Sequence, residues 1–175
     1  MHPATTCRPD VAAAVRELSM HLVHPTERHV KSAGRVAQHL WTTKHLCLHY
    51  GRESGATTFY GTSDAAHNAT HDCRGVTGWS FHLAGASIAW KSRAQDIVSL
   101  SSTESELIAV DEATRELRFL IKILKDFDVD IDQPVLLGQD NLSTITLINS
   151  THFNARTRHV ALRYHHCGEQ QNSGL

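Results

Sequence analysis

Three carboxylate residues, Asp64, Glu106 and Asp140, stand at positions where an acid could do chemistry. Asp64 follows the strand-like run FYGTS and Asp140 follows VLLGQ, so each lies at a strand end, where a side chain can point into a cleft. Helical spacing places Glu106 on the same face as Val110 and Leu117, at one end of an apolar surface. A carboxylate at such a place is costly unless it is paired, protonated or bound to a metal.

Each of these acids also has an ordinary structural explanation. An Asp at a strand end is usually a turn or cap residue, and a Glu in the first turns of a helix complements the helix dipole. Their convergence in one arrangement of sheet and helix favours a function. Carboxylates gathered without a basic partner repel one another and suit Mg²⁺ or Mn²⁺, which prefer oxygen ligands. The pattern therefore predicts metal-assisted phosphoryl chemistry.

The first forty residues predict a helical hairpin. One helix begins near Pro9 and runs to about Leu22, with apolar residues recurring on one face. Pro25 ends it, because proline cannot continue the hydrogen-bonded ladder. Thr26 can then cap a second helix that runs to about Leu40.

From Leu46 onward the pattern changes to short β-rich runs separated by glycines, beginning with LCLHY, and these runs predict antiparallel strands. Ser101 and its neighbours cap a long amphipathic helix that runs to about Leu124. The run VLLGQ after Pro134 predicts another strand, and helices are expected at about 142–148 and 157–166. This order of elements predicts an α/β fold.

Composition places the chain among ordinary intracellular globular proteins. It has 175 residues, a net charge of −1 and four cysteines without paired spacing, which are expected to be free thiols. We find no secretory signal and no apolar run near the about 20 residues that span a bilayer, so no membrane partner is expected. Near-neutrality argues at first against a nucleic-acid binder. However, acidic residues concentrate in the centre of the chain between two basic ends, which is compatible with a nucleic-acid substrate.

The residues around the three acids carry a family resemblance. The run from Asp64 to Val110, with LSSTESEL as its most specific segment, resembles the ribonuclease H domain of copia-type retrotransposon Pol polyproteins. The later GQDNLSTITLI and NARTRHVALRYHH continue the match. Upstream, the sequence resembles the connection segment that follows the reverse transcriptase polymerase. The resemblance implies a helical connection segment over 1–45 and, over 46–175, a ribonuclease H-like domain whose mixed sheet has flanking helices.

The resemblance also implies an activity for this chain. The catalytic and metal-binding acids of the family correspond to Asp64, Glu106 and Asp140, the residues singled out above. It implies hydrolysis of the RNA strand of an RNA–DNA hybrid by a two-metal mechanism with Mg²⁺ or Mn²⁺, without a covalent nucleophile. The polymerase signature Tyr-x-Asp-Asp does not occur in the sequence, so DNA synthesis is not expected, although a reverse transcriptase polymerase domain is an implied partner.

The chain departs from the family pattern near its end. Ala161 stands where the family has another Asp that helps to hold the second metal, and the chain stops at Leu175, so a C-terminally truncated domain is expected. These departures keep a rival hypothesis open: a catalytically inactive remnant that at most binds nucleic acid or a reverse transcriptase partner. The basic motif RTRH, which begins at Arg156, suggests that Arg156, Arg158 and Arg163 contact phosphates. The alternative is that these arginines lie on a solvated helix face without a ligand.

Overall fold

A computed structural model describes residues 2–51, 58–131, 133–149 and 167 of the chain. The helices are α1 (His2–Thr6), α2 (Ala12–Ser19), α3 (Glu27–Thr42), α4 (Ser102–Asp126) and α5 (Leu142–Asn149). The strands are β1 (Phe59–Ala66), β2 (Val76–Leu83), β3 (Ala86–Ala94) and β4 (Leu136–Gly138). In the part of the chain described, no helix is both long and apolar enough to cross a membrane.

The four strands form one mixed sheet in the order β3-β2-β1-β4. β1 pairs with β2 and β2 with β3 in antiparallel fashion, whereas β1 and β4 run parallel. The parallel pair requires a crossover, and α4 lies in the chain between β3 and β4. The predicted α/β fold is therefore confirmed, and the mixed sheet with flanking helices is consistent with a ribonuclease H-like fold.

The side chains of β1 alternate between the two faces of the sheet. Phe59, Gly61 and Ser63 are buried, whereas the residues between them and Asp64 are exposed. The buried face packs against α4, and the apolar core there contains Phe59, Trp79, Phe81, Ala113, Leu117, Ile121 and Leu124. The strand period thus turns Asp64 away from this core.

α4 begins as the capping sequence predicts. The Ser101 side chain accepts a hydrogen bond from the backbone N–H of Glu104, which satisfies a donor that the first helical turn leaves free. The helix then runs for 25 residues, and its inner side stays buried as far as Leu124. This rigid element delivers Glu106 to one end of the sheet.

The N-terminal hairpin is confirmed by α2 and α3, with α2 ending three residues before the predicted limit and α1 an addition that the sequence did not predict. Helix α2 of the hairpin packs against β3, and Ala4 of α1 contacts the same strand, because the Trp90 indole N–H donates to the Ala4 carbonyl at 2.7 Å. Asp10 contacts His39 of α3 at 2.8 Å, which ties the turn before α2 to the second helix. The domain boundary at residue 45 stays a prediction.

One predicted strand is wrong. Residues 46–50, LCLHY, are not in a strand, because their backbone forms no ladder with a neighbouring strand. The segment is anchored by the Tyr50 hydroxyl, which donates to the Ser87 carbonyl at 2.7 Å, and by the Gly51 N–H, which donates to the Ala84 carbonyl. Leu46 and Tyr50 remain more than half exposed, at 56% and 54%. The helix predicted at about 157–166 lies outside the described residues.

Candidate metal centre

The side-chain oxygens of Asp64, Glu106 and Asp140 lie within 4.8 Å of one another. The structure thus brings together the three acids that the sequence singled out. Asp64 belongs to β1, Glu106 is the fifth residue of α4, and Asp140 comes two residues after β4. No ion pair with Lys or Arg is found for any of the three among the residues described.

The parallel pairing of β1 with β4 explains why the two Asp residues meet. Thr62 lies opposite Gly138 in the register of this pair. Asp64 and Asp140 each follow that pair by two residues, so both side chains emerge at the same edge of the sheet. Strand β4 is short, and its last residue is a glycine, so the chain reaches Asp140 directly after leaving the sheet.

Glu106 is the buried member of the cluster. Glu106 is only 6% exposed, whereas Asp64 and Asp140 are exposed. Burial raises the pKa of the Glu106 carboxyl above its ordinary value, and the nearby charges of Asp64 and Asp140 raise it further. Hydrogen bonds from the Gln139 side chain and the Ala65 backbone N–H oppose that rise.

Gln139 is a residue of the site that the sequence analysis did not identify. Its amide Nε2 donates to Glu106 Oε2 at 3.2 Å, and its Oε1 accepts from the Asn141 backbone N–H at 3.0 Å. The amide is therefore held at both ends, and it restrains the Glu106 carboxylate. The position of Gln139 beside Asp140 in GQDN could have indicated this role. A polar residue at a strand end, next to a candidate metal ligand, can form hydrogen bonds that orient the ligands of that site.

The donor set fits a hard divalent cation. Three carboxylates supply oxygen ligands only, and their mutual repulsion is relieved when a cation lies between them. Burial is the main cause of the raised pKa of Glu106, and the negative charges of Asp64 and Asp140 add to the rise. Mg²⁺ and Mn²⁺ both suit such ligands, so the structure supports a candidate metal centre.

Asp64 also opens onto a cavity of about 490 Å³ on the outer face of the sheet. Gly78 lies directly opposite Asp64 on β2, and its missing side chain leaves that part of the sheet uncovered. Ser80, Ser92 and Asp10, which belongs to the turn before α2, are among the residues that line it. A substrate could therefore approach the acids from this side.

The other predicted site residues lie outside the described part of the chain. Arg156, Arg158 and Arg163, proposed for phosphate contacts, fall in this category, as does Ala161, where the resemblance implies another Asp in the family. Their roles stay predictions.

Comparison with known proteins identifies relatives over almost the whole chain. The retrovirus-related Pol polyprotein from transposon TNT 1-94 of Nicotiana tabacum is 31% identical over 165 residues, which are 94% of this chain and 12% of that protein. The corresponding polyprotein from transposon RE2 of Arabidopsis thaliana is 29% identical over 95% of this chain and 12% of its own length. The chain therefore spans only a small segment of these polyproteins.

A shorter relative is matched over most of its own length. Secreted RxLR effector protein 161 of Plasmopara viticola is 37% identical over 121 residues, which are 69% of this chain and 84% of that protein. No protein-family profile matches the chain, and neither does any solved structure.

Proposed function

We propose that this chain corresponds to the ribonuclease H-type domain of copia-type retrotransposon Pol polyproteins and hydrolyses RNA in RNA–DNA hybrids. The chain belongs to the family that includes the corresponding segment of these polyproteins. One observation carries the proposal: Asp64, Glu106 and Asp140 converge at the edge of the sheet. Asp64 lies on strand β1, Glu106 lies on helix α4, and Asp140 lies two residues after strand β4. An acidic cluster built in this way suits phosphoryl chemistry better than a structural role, because its repulsion costs stability.

The three carboxylates would hold Mg²⁺ or Mn²⁺ through their oxygen atoms. Such ions, when bound, supply a water nucleophile at neutral pH and stabilise the charge that develops on the phosphate and the leaving oxygen. The chain's own contribution is to fix the ligands. Gln139 donates to Glu106 Oε2, so this buried ligand is oriented before any cation binds.

The proposed substrate is supported by the surroundings of the acids. The cavity beside Asp64 is open to the outer face of the sheet, and the hydroxyl-bearing residues Thr62, Ser80 and Ser92 are among those that line it. Hydroxyl groups donate to and accept from phosphate and ribose oxygens, as nucleic-acid contacts require. We include Arg156, Arg158 and Arg163 as phosphate contacts, and a reverse transcriptase polymerase domain as partner, in the same proposal.

A cleavage assay tests the activity. The purified chain is incubated with an end-labelled RNA–DNA hybrid in Mg²⁺ or Mn²⁺, and the RNA fragments are resolved on a gel. We expect cleavage by the unchanged chain and by Asp126→Asn, which removes an exposed carboxylate at the far end of α4. Asp64→Asn should abolish it. Cleavage that survives Asp64→Asn, or is absent from the unchanged chain in both metals, would contradict the proposal.

Two observations favour a second candidate function, that of a catalytically inactive remnant which binds nucleic acid or a reverse transcriptase partner. Ala161 offers no carboxylate at a position where the family resemblance implies one. In addition, a relative that carries the name of a secreted effector is matched over 84% of its own length, so a related segment makes up most of a separate protein. Salt-dependent hybrid binding without cleavage would support this candidate. Cleavage gained in Ala161→Asp would identify the missing carboxylate as the cause of inactivity.

A further inference from the structure

His67 lies at the junction of the two elements that carry Asp64 and Glu106. It is the first residue after β1 and comes three residues after Asp64. Its ring Nδ1 lies 3.1 Å from the Ser105 hydroxyl, and Ser105 directly precedes Glu106 in α4. One imidazole therefore joins the end of the strand to the beginning of the helix.

The partners of His67 form a buried polar network. Nδ1 also lies 3.1 Å from the hydroxyl of Ser99, which is hydrogen-bonded to the Ser105 hydroxyl. Ser99 and Ser105 are 3% and 0% exposed. The Gln95 amide Nε2 donates to the Ser105 carbonyl at 2.9 Å and to Thr77 Oγ1 at 3.1 Å. The first turn of α4 is thus fixed to β2 and to the loop after β3, and His67 adds β1 to the same network.

A second contact joins the same two elements closer to the acids. The Ala65 backbone N–H approaches the Glu106 carboxylate closely enough to lower its pKa. Ala65 directly follows Asp64, so this contact spans the two candidate ligands. Two fixed points, Ala65 with Glu106 and His67 with Ser105, define how the strand end lies against the helix. With only one of them, the strand end could pivot about that single contact.

We propose that His67 is a positioning residue for the candidate metal centre, which sets the separation of Asp64 and Glu106 by joining the end of β1 to Ser105. The inference rests on the proposed metal-dependent function. Removal of a direct partner of a metal ligand typically changes metal affinity by roughly 10-fold to 100-fold, and His67 acts on Glu106 only through Ser105, so the lower end of that range is expected. A side chain that can replace Nδ1 with a polar atom at a similar distance from the backbone should preserve most of the effect.

The test compares His67→Ala, His67→Asn and the control His71→Ala. His71 is an exposed histidine in the same loop, and Asn carries both donor and acceptor atoms near the position of Nδ1. Two quantities are measured on the full chain: the hydrogen exchange rate of the Ala65 amide by NMR, and the dissociation constant for Mn²⁺ by titration followed with electron paramagnetic resonance. The exchange rate of the Phe81 amide, in the middle of β2, reports whether the fold is intact.

We expect His67→Ala to accelerate exchange at Ala65 and to weaken Mn²⁺ binding by about 10-fold, while exchange at Phe81 is unchanged. His67→Asn should restore both quantities to within a few-fold of the unchanged chain, and His71→Ala should alter neither. If His67→Ala leaves Mn²⁺ affinity unchanged, or if Asn fails to restore it, the positioning role is refuted.

Failure of this inference is distinguishable from failure of the proposed activity. If the unchanged chain binds Mn²⁺ but does not cleave the hybrid, the ribonuclease proposal fails, and the positioning role is judged on Mn²⁺ affinity alone. If cleavage occurs and His67→Ala matches the unchanged chain in both Mn²⁺ affinity and rate, only the positioning role fails. Absence of Mn²⁺ binding in the unchanged chain refutes both.

Discussion

Neutralising Asp140 tests whether the three carboxylates are held together against their own repulsion. The oxygens lie within 4.8 Å of one another, and Asp140 is exposed, so a water-like dielectric applies. Two like charges at about 4 Å repel by about 1 kcal/mol in water. Asp140 faces two such charges, but salt screens part of the sum, so Asp140→Asn should stabilise the metal-free protein by about 1 kcal/mol.

The same substitution should have the opposite effect when metal is present. A ligand that binds only the folded state stabilises it by about 2.7 kcal/mol at a concentration 100 times its dissociation constant. Asp140→Asn removes one oxygen ligand, so this gain should shrink. In a chain of this length, 1 kcal/mol corresponds to a shift of about 2–4 °C in Tm. The variant should therefore melt higher than the unchanged chain in EDTA and lower in Mn²⁺.

Thermal unfolding followed by circular dichroism measures both effects. The α5 cap does not confound the result, because the Asn141 side chain, not Asp140, accepts from the Thr144 N–H at 3.0 Å. Asp126→Asn makes the same charge change at the far end of α4 and should not produce the reversal. The reasoning is refuted if Asp140→Asn melts lower than the unchanged chain in EDTA, or if its response to Mn²⁺ equals that of the unchanged chain.

Three further outcomes follow from individual contacts. Gly61→Ala should destabilise the fold by about 1–3 kcal/mol in urea unfolding, because a Cβ there would lie 2.6 Å from Cδ1 of the buried Phe81 ring, and Phe81→Leu should recover part of the loss. Burial raises the pKa of the Cys167 thiol to about 12, so a thiol reagent at pH 8 should modify the three exposed cysteines quickly and Cys167 only on unfolding. The hydrogen bond from Arg8 holds the pKa of Asp10 well below its ordinary value. This bond stabilises the folded state fully above the pKa that Asp10 has in the unfolded chain, near 4, and its contribution is lost as the pH falls through the lower pKa of Asp10 in the folded chain. Asp10→Asn should thus lower Tm at pH 7 and make its decline below about pH 4 shallower.

The three acids could be predicted from the sequence because their placement depends on local signals. A strand end is visible from alternation and turn residues, and Glu106 follows from the helical spacing of Val110 and Leu117. Once β1 and β4 pair in parallel, Asp64 and Asp140 must emerge at one edge. The sequence therefore predicted the grouping without any distance information.

The supporting residues could not be predicted in this way. Gln139 contacts Glu106 across 33 residues of sequence, and His67 contacts Ser105 across 38. Neither contact leaves a periodic pattern, because each depends on how α4 lies against the sheet. The wrong strand at LCLHY has a related cause. An apolar run signals a strand only if a partner edge is available, and this segment crosses the turn between β2 and β3 with isolated hydrogen bonds.

The position of the hairpin suggests a role in substrate binding, because it borders the cavity onto which Asp64 opens. Ala13 lines that cavity, whereas its exposed neighbour Ala14 does not. A negative charge on the wall should repel an approaching phosphate backbone without disturbing the three ligands, which belong to β1, α4 and the residues after β4. An exposed charge contributes up to about 1 kcal/mol, so Ala13→Glu should raise KM for the hybrid by up to about 5-fold with kcat unchanged. Ala14→Glu, with the same charge outside the cavity, should have a smaller effect on KM. Equal effects of the two substitutions in steady-state cleavage assays would show that the hairpin acts only through net charge, and no effect of either would remove the cavity from the substrate path.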